Sequence, residues 1–236
     1  IWQDFLKSLK QQDVLFYPNN SDLYRTLASF EGIDPDQLII GDGSDRIIKY
    51  VFECFVDRYQ GVFGVSPDFP MYEVYTQLYG GNFYNITIDA SGILPVSEFI
   101  DSFDKQCHST DRVLIFSNPN SPVGHFYSLE DIETIVKTAL VKNLVVVVDE
   151  AYIEFTCFDY KQASAKHLVN KYENLLVVRT LSKAGGSAGV RFGYGMGSKK
   201  LISILKQFRT MYEVSGLTQR WVQTLLDNWN SVERYA

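Results

Sequence analysis

The sequence contains little cysteine, no long apolar run and no excess of positive charge, and each absence excludes a class of protein. Its cysteines are only three, and no two have the Cys-x-x-Cys spacing, so we expect neither a disulfide framework nor a metal site. No apolar run is long enough to span a bilayer. The formal net charge of −6 argues against nucleic acid as a partner. The cysteines are Cys54, Cys107 and Cys157.

The N-terminal residues also lack the features of a targeting segment. Ile1–Phe5 has no positively charged region, and no signal-peptide apolar region follows it. Together with the few, unpaired cysteines, this predicts a protein of the reducing cytoplasm that acts away from membranes.

Apolar strand-like runs alternate with amphipathic helical patterns through most of the 236 residues. This alternation predicts an α/β fold with a largely parallel sheet. The most apolar run, Leu144–Val148, is typical of a central strand that is covered on both faces. The predicted strands are Leu38–Ile40, Val62–Val65, Asn82–Ile88, Arg112–Ser117, Leu144–Val148, Leu175–Val178 and Phe192–Gly197.

Polar or glycine-rich motifs follow five of these strands. In open α/β sheets, ligands bind beyond the carboxyl ends of the strands. Each motif alone is a weak signal, but their shared position predicts one site at this edge of the sheet. The motifs are Gly41–Asp45, Phe69, Asn118–Gly124, Asp149–Tyr152 and Ser182–Lys183.

One lysine, Lys183, lies in a row of small residues that would let a ligand approach the backbone closely. A desolvated lysine loses its proton more easily, so Lys183 is a candidate nucleophile toward a carbonyl carbon. The alternative interpretation is a glycine-rich loop with an exposed lysine.

A second group of residues could hold a phosphate. Gly43, Ser44 and Asp45 open a predicted helix, and free backbone N–H groups at a helix N-terminus bind anions. Ser182 and Arg191 could complete this cradle. The alternative is an ordinary helix start with Ser44 or Asp45 as the capping residue.

An amine, a buried carboxylate, a phosphate cradle and an aromatic ring together suggest pyridoxal phosphate. Lys183 would form the Schiff base and later act as the base of a 1,3-proton shift. Asp149 would face the pyridine nitrogen and keep it protonated. Phe69 would cover one face of the ring. Tyr152 and a polar group from Asn120–Ser121 would approach the ring hydroxyl.

These motifs resemble those of class I/II, fold-type I pyridoxal phosphate-dependent aminotransferases, most closely the histidinol-phosphate aminotransferase branch. The resemblance implies a three-layer α/β/α large domain, an amino-acid or histidinol phosphate-like donor, and a 2-oxo acid acceptor. It also implies a homodimer in which Tyr17 reaches the partner's cofactor phosphate. The motifs are Tyr17-Pro, Gly41-Asp-Gly-Ser-Asp, Pro67-Asp-Phe-Pro-Met-Tyr, Asn118-Pro-Asn-Ser-Pro-Val-Gly, Asp149-Glu-Ala-Tyr-Ile-Glu-Phe and Arg179-Thr-Leu-Ser-Lys.

The same resemblance suggests a domain division and shows where the chain departs from the family. We expect an N-terminal helical segment at 1–16, a cofactor-binding large domain at 17–214, and a helix at 215–236 leading toward a small domain that is apparently missing. Where the family has the asparagine that contacts the ring oxygen, this chain has Ser121, and Asn118 or Asn120 could replace that contact.

The same residues suggest two alternatives to an aminotransferase, and a third is excluded. A pyridoxal phosphate-dependent lyase, such as an amino-acid-phosphate decarboxylase, would share the same residues around the cofactor. A catalytically incomplete cofactor-binding fragment would fit the short C-terminus. A dinucleotide-dependent oxidoreductase, suggested by the glycines of 193–197, is excluded because those glycines lie within or after a late strand.

Overall fold

A computed structural model describes residues 1–156 and 159–236, and Cys157 lies outside the described residues. The core is a seven-stranded sheet in the order β1-β7-β6-β5-β4-β2-β3, and only β7 runs antiparallel to its neighbours. The strands are β1 (Leu38–Gly41), β2 (Gly61–Ser66), β3 (Asn82–Thr87), β4 (Val113–Ser117), β5 (Val145–Asp149), β6 (Leu175–Thr180) and β7 (Gly193–Gly197).

Helices connect these strands. They are α1 (Trp2–Ser8), α2 (Gln12–Leu15), α3 (Ser21–Glu31), α4 (Ser44–Phe55), α5 (Met71–Leu78), α6 (Val96–Asp104), α7 (Leu129–Val141), α8 (Tyr160–Ala163), α9 (Lys199–Leu205), α10 (Gly216–Asp227) and α11 (Trp229–Tyr235). None of these helices of the described residues has the length and apolar character needed to cross a bilayer.

The helices form a layer on each face of the sheet. Alternation along β5 places Val146 and Val148 in one core with Ile135 of α7, whereas Val147 lies in a second core with Ile48 of α4. The first core also contains side chains of α3, α6 and α10, and the second contains side chains of α5 and α9. The prediction of an α/β fold with a mostly parallel sheet is confirmed.

The central strand fixes the position of the predicted site. β5 is the middle strand of the seven, and Val146 to Val148 are fully buried. Its last residue, Asp149, pairs in register with Ser117 of β4 and Val178 of β6. Because these strands are parallel, the loops that follow them meet at one edge of the sheet.

Two local features are finer than the sequence indicated. The N-terminal segment 1–16 contains two helices, because α1 ends at Ser8 and α2 follows it as a separate short helix. Ser44 and Asp45 do not cap α4: the N-cap is Gly43, with a φ of 110° and no side-chain capping bond.

The N-terminal helices pack against a C-terminal one. The Phe5 ring of α1 meets the Trp221 ring of α10 edge-on, with centroids 5.1 Å apart. Asp13 of α2 forms an ion pair of 3.1 Å with Arg220 of α10. The domain boundaries at 16 and 214 stay a prediction.

Candidate functional site

A cavity of about 470 Å³ opens at the carboxyl edge of the parallel strands. Loops that follow β1, β2, β4, β5 and β6 all contribute to its wall. The structure therefore brings together every predicted site residue except Asn120 and Tyr17. Those that line the cavity are Gly43, Ser44, Asp45, Phe69, Ser121, Asp149, Tyr152, Ser182, Lys183 and Arg191.

One end of the cavity is suited to an anion. α4 begins there with no side-chain cap, and the Arg46 N–H donates to the Gly43 carbonyl at 3.2 Å, which leaves the Ser44 and Asp45 amides for a ligand. Arg191 lies beside this turn, and its Nη2 donates to the Asp42 carbonyl at 3.3 Å. A Cβ on Gly43 would lie 2.6 Å from that Nη2 and would displace the guanidinium, and the φ of 110° at Gly43 also favours glycine. Within residues 1–156 and 159–236, no carboxylate forms an ion pair with Arg191.

Two other side chains at this end have internal partners. The backbone N–H of Ser182 donates to Thr180 Oγ1 at 3.1 Å, and the two hydroxyl oxygens lie 2.9 Å apart. Thr180 in turn donates to the Phe192 carbonyl at 3.0 Å, which ties the end of β6 to β7. Asp45 accepts a hydrogen bond of 2.7 Å from the Tyr75 hydroxyl. The contacts with Thr180 hold the Ser182 hydroxyl at the cavity wall.

Lys183 lines the cavity but is not desolvated, contrary to our expectation. Lys183 is exposed because the loop around it lies at the surface, including Gly186, Ala188 and Gly189. Its Nζ lies 4.7 Å from the centroid of the Tyr152 ring, within the range of a cation–π contact. No ion pair involves Lys183 within the part of the chain that the structure describes. The amine is therefore open to a ligand that enters the cavity.

Asp149 is the opposite case, since it is only 5% exposed. Its Oδ2 accepts a hydrogen bond of 2.9 Å from the Tyr72 hydroxyl, and its Oδ1 accepts one of 3.0 Å from the Ala151 N–H. No lysine or arginine of the described residues pairs with it. Burial raises the pKa of the Asp149 carboxyl to about 7. A cationic ligand would relieve this cost.

A second acid, Asp68, lies in the same wall and was not predicted from the sequence. Asp68 accepts hydrogen bonds from the Ser117 N–H at 2.9 Å, the Ser117 hydroxyl at 2.5 Å and the Phe69 N–H at 2.7 Å. Burial raises the pKa of this carboxyl as well. The rule that selected Phe69, a side chain directly after a strand, could have selected Asp68. Tyr72 gave no such signal because it follows the pattern of a core residue.

The two asparagines that could replace the ring-oxygen contact are occupied elsewhere. Asn120 Nδ2 donates to the Pro67 carbonyl at 3.1 Å, and Asn120 Oδ1 accepts from the Val123 N–H at 3.2 Å. Asn118 Nδ2 donates to the Tyr127 carbonyl at 3.1 Å, and Asn118 Oδ1 accepts from the Tyr127 N–H at 2.8 Å. Both side chains hold the loop, and Ser121 is the residue that lines the cavity. The contact of Asn118 or Asn120 with the ring oxygen stays a prediction, and it would require either side chain to leave these partners.

Two aromatic residues differ in position. Phe69 lines the cavity, remains 39% exposed and meets the Tyr72 ring edge-on at 5.5 Å. Tyr17 lies outside the cavity, is 79% exposed and stacks on Tyr212 with centroids 4.4 Å apart. Among the described residues, no group of three or more histidine, cysteine or acidic side chains is placed to hold a metal.

Comparison with known proteins gives a consistent result. The chain is 34% identical over 205 residues to histidinol-phosphate aminotransferase of Clostridium novyi, covering 86% of this chain and 54% of that protein. It is 32% identical to the corresponding protein of Caldanaerobacter subterraneus subsp. tengcongensis, covering 92% and 58%. The chain thus spans about half the length of these relatives.

Solved structures show the same fold. The crystal structure of histidinol-phosphate aminotransferase from Sinorhizobium meliloti, in complex with pyridoxal-5'-phosphate, superposes with a TM-score of 0.87 at 20% identity. It covers 98% of this chain, which corresponds to 62% of that structure. The family model for aminotransferase class I and II matches residues 1–235, and the chain therefore belongs to the aminotransferase class I and II family.

Proposed function

We propose that this chain binds pyridoxal phosphate and is the cofactor-binding part of an aminotransferase. The amino group would move between an amino acid or a histidinol phosphate-like donor and a 2-oxo acid. The observation that carries the proposal is the single cavity that joins Lys183, Asp149 and an anion-binding helix start. The relatives named histidinol-phosphate aminotransferase support this donor.

The residues present fit the cofactor. Asp149 is a buried carboxylate with no cation beside it among the described residues, and a protonated pyridine nitrogen would supply one. The uncapped start of α4, with Arg191 against Gly43, offers amide donors and a positive charge to a phosphate. The exposed edge of Phe69 lies in the same wall and could contact the ring.

When bound, pyridoxal phosphate supplies a ring that accepts negative charge from the substrate's α-carbon. Lys183 is the one amine that lines the cavity among the described residues, so its Nζ would attach the cofactor and later move the substrate's α-proton. Asp149 would hold a proton at the ring nitrogen. Tyr152, beside the Lys183 amine, and Ser121 would orient the ring hydroxyl.

We also propose that the protein is a cytoplasmic homodimer. The exposed Tyr17 and Tyr212 pair lies outside the cavity of its own chain, which leaves Tyr17 available to a cofactor phosphate in a second copy. The thiols of Cys54 and Cys107 are unpaired, as is common in reducing compartments.

Borohydride reduction tests the assignment of Lys183. The chain, incubated with pyridoxal phosphate and reduced, should carry one covalent cofactor per chain, and mass spectrometry of its peptides should locate it at Lys183. Lys183→Ala should lose this label, whereas Lys199→Ala, which removes an exposed lysine paired with Asp34, should keep it. Labelling spread evenly over surface lysines would overturn the proposal.

The reaction class is tested on the same loaded protein. Histidinol phosphate should convert the cofactor to its amino form, and 2-oxoglutarate should restore the aldehyde form. Release of carbon dioxide from an amino-acid phosphate, without that exchange, would instead favour a lyase. If the protein is folded and loaded with cofactor but shows neither reaction, the chain is a catalytically incomplete fragment.

A further inference from the structure

Two residues beside Asp149 act on it in opposite directions. We propose that Tyr72 and Asp68 are an opposed pair of positioning residues that set how readily Asp149 holds a proton, Tyr72 favouring the carboxylate and Asp68 favouring the carboxylic acid. The meaning of this balance for the cofactor rests on the proposed function, whereas the balance itself belongs to the chain alone.

Tyr72 is placed to stabilise the charged form. Its ring is 1% exposed in the second core, and its hydroxyl donates to Asp149 Oδ2 at 2.9 Å. With the Ala151 N–H on Oδ1, both carboxylate oxygens have a donor, which fixes the plane of the carboxyl group. Hydrogen bonds donated to a carboxylate favour its ionised form. Burial and the charge of Asp149 also raise the pKa of the Tyr72 hydroxyl well above its usual value, so Tyr72 remains a donor.

Asp68 is placed to oppose this effect. Burial raises the pKa of Asp68, and three donors partly offset this by favouring its negative charge, namely the Ser117 N–H, the Ser117 hydroxyl and the Phe69 N–H. Asp68 lines the same cavity as Asp149, and its negative charge raises the pKa of both Asp149 and Tyr72. No lysine or arginine pairs with Asp68 among the described residues, so this charge is not neutralised locally.

The groups that act on Asp149 come from three parts of the fold. Tyr72 belongs to α5, Asp68 to the turn after β2, and Ala151 and Glu150 to the segment after β5. The negative charge of Glu150 also raises the pKa of Asp149, but less than that of Asp68. Burial is the largest cause of the raised pKa, and the two positioning residues adjust it.

The balance matters because the two forms of Asp149 recognise different partners. A carboxylate pairs with a protonated ring nitrogen, whereas a carboxylic acid can only donate to an unprotonated one. Removal of Tyr72 or of Asp68 would therefore change the pH at which a pyridine ring is held as a cation. Neither residue need touch the ring for this effect.

A titration of the chain without cofactor tests the proposal. The carboxyl carbons of aspartate are labelled with ¹³C, the Asp149 signal is assigned with Asp149→Asn, and its midpoint is followed by NMR. The site-specific signal is needed because two interacting carboxyls titrate jointly. Tyr72→Phe should raise the midpoint by about one pH unit, and Asp68→Asn should lower it by about one. The double variant should return toward the native midpoint.

Tyr75→Phe is the matched control, because it removes a hydroxyl one turn along the same helix that bonds to Asp45 instead. It should leave the Asp149 midpoint unchanged. The proposal would be overturned if both single variants shifted the Asp149 midpoint in the same direction, or if neither shifted it. If Asp68→Asn unfolds the turn, the test rests on Tyr72→Phe. A lowered or unchanged Asp149 midpoint in that variant would contradict the proposal.

A second readout connects the pair to the cofactor. The dissociation constant of pyridoxal phosphate, measured between pH 6 and 9, should change its pH dependence in opposite directions in the two variants. If no variant, nor the native chain, bound the cofactor, the proposed function would fail, but the NMR midpoints would still decide the role of Tyr72 and Asp68.

Discussion

Two adjacent carboxyl groups at the end of the central strand have opposite surroundings. Asp149 faces the cavity and has no cation beside it among the described residues. Glu150, the next residue, accepts from Arg179 Nε at 3.0 Å and from the Ser164 hydroxyl at 2.8 Å. One buried acid is thus compensated within the fold and the other is not. A buried acid that lines a cavity without an ion-pair partner is a candidate contact for a ligand, which is the role proposed for Asp149.

The compensated side is a larger buried cluster, which we call the arginine cluster (Arg179, Glu31, Glu150 and Lys166). Arg179 is 3.1 Å from Glu31 and 2.9 Å from Glu150, and Lys166 is 2.8 Å from Glu31. Burial alone would raise the pKa of Glu31, but the charges of Arg179 and Lys166 outweigh it and hold that pKa below its usual value. The charges of this cluster are paired within the fold, whereas Asp149 at the cavity has no ion-pair partner among the described residues.

Breaking the arginine cluster should have the largest effect on stability. Arg179→Leu leaves Glu31 and Glu150 buried without their central cation. The loss of one partner of a buried pair typically costs about 3–5 kcal/mol, so we expect a decrease of that size in the free energy of unfolding. Urea denaturation at pH 7 measures it.

Arg220→Leu is the control for this substitution. It breaks the partly exposed pair with Asp13, so it should cost less than about 1 kcal/mol. Equal losses in the two variants would contradict the distinction between the arginine cluster and an ordinary surface pair.

The raised pKa of Asp149 should make the free energy of unfolding depend on pH. Its pKa is raised from 3.8 to about 7 in the folded chain, so between these values the folded state holds a proton that the unfolded state has released. Stability therefore falls as the pH rises through this window, by about 1.4 kcal/mol per pH unit. Between pH 5 and 8, Asp149→Asn should reduce this decrease by about 2–3 kcal/mol. Urea denaturation at both pH values gives the difference.

Glu154 provides the matched comparison. Burial raises its pKa to about 7 as well, and its Oε2 is buried without a hydrogen bond among the described residues. Glu154→Gln should therefore reduce the same decrease. At pH 8, added pyridoxal phosphate should stabilise the native chain and Glu154→Gln more than it stabilises Asp149→Asn, because only the first two keep the acid that pairs with a cationic ring. A native chain whose stability did not fall from pH 5 to 8 would contradict the environment assigned to both acids.

The sequence predicted the strands and the edge at which they meet, because apolar runs and the motifs after them are local signals. It did not predict which side chains of a loop point inward. Asn120 and Ser121 are neighbours, yet the bonds of Asn120 to Pro67 and Val123 turn it away from the cavity. Such contacts depend on the packing of one loop against another, and periodicity carries no information about them.

The same limit applies to the arginine cluster and to Lys183. Arg179 and Glu31 are 148 positions apart, so no local pattern links them. Lys183 was expected to be desolvated because its neighbours are small, but small residues also allow a loop to lie open at the surface. Composition identified the candidate residue, whereas its exposure depends on what else covers the loop.

Replacement of Lys183 should have the smallest effect on the free energy of unfolding, although it should abolish cofactor attachment. Lys183→Met removes an exposed amine that contacts the Tyr152 ring, with Nζ 4.7 Å from the ring centroid. A cation over an exposed ring contributes about 0.5–1 kcal/mol, so the free energy of unfolding should change by no more than that. The same variant should lose covalent capture completely. A loss of stability comparable to that of Arg179→Leu would mean that the Lys183 charge compensates a buried acid, and the contrast between the two sides of the central strand would no longer hold.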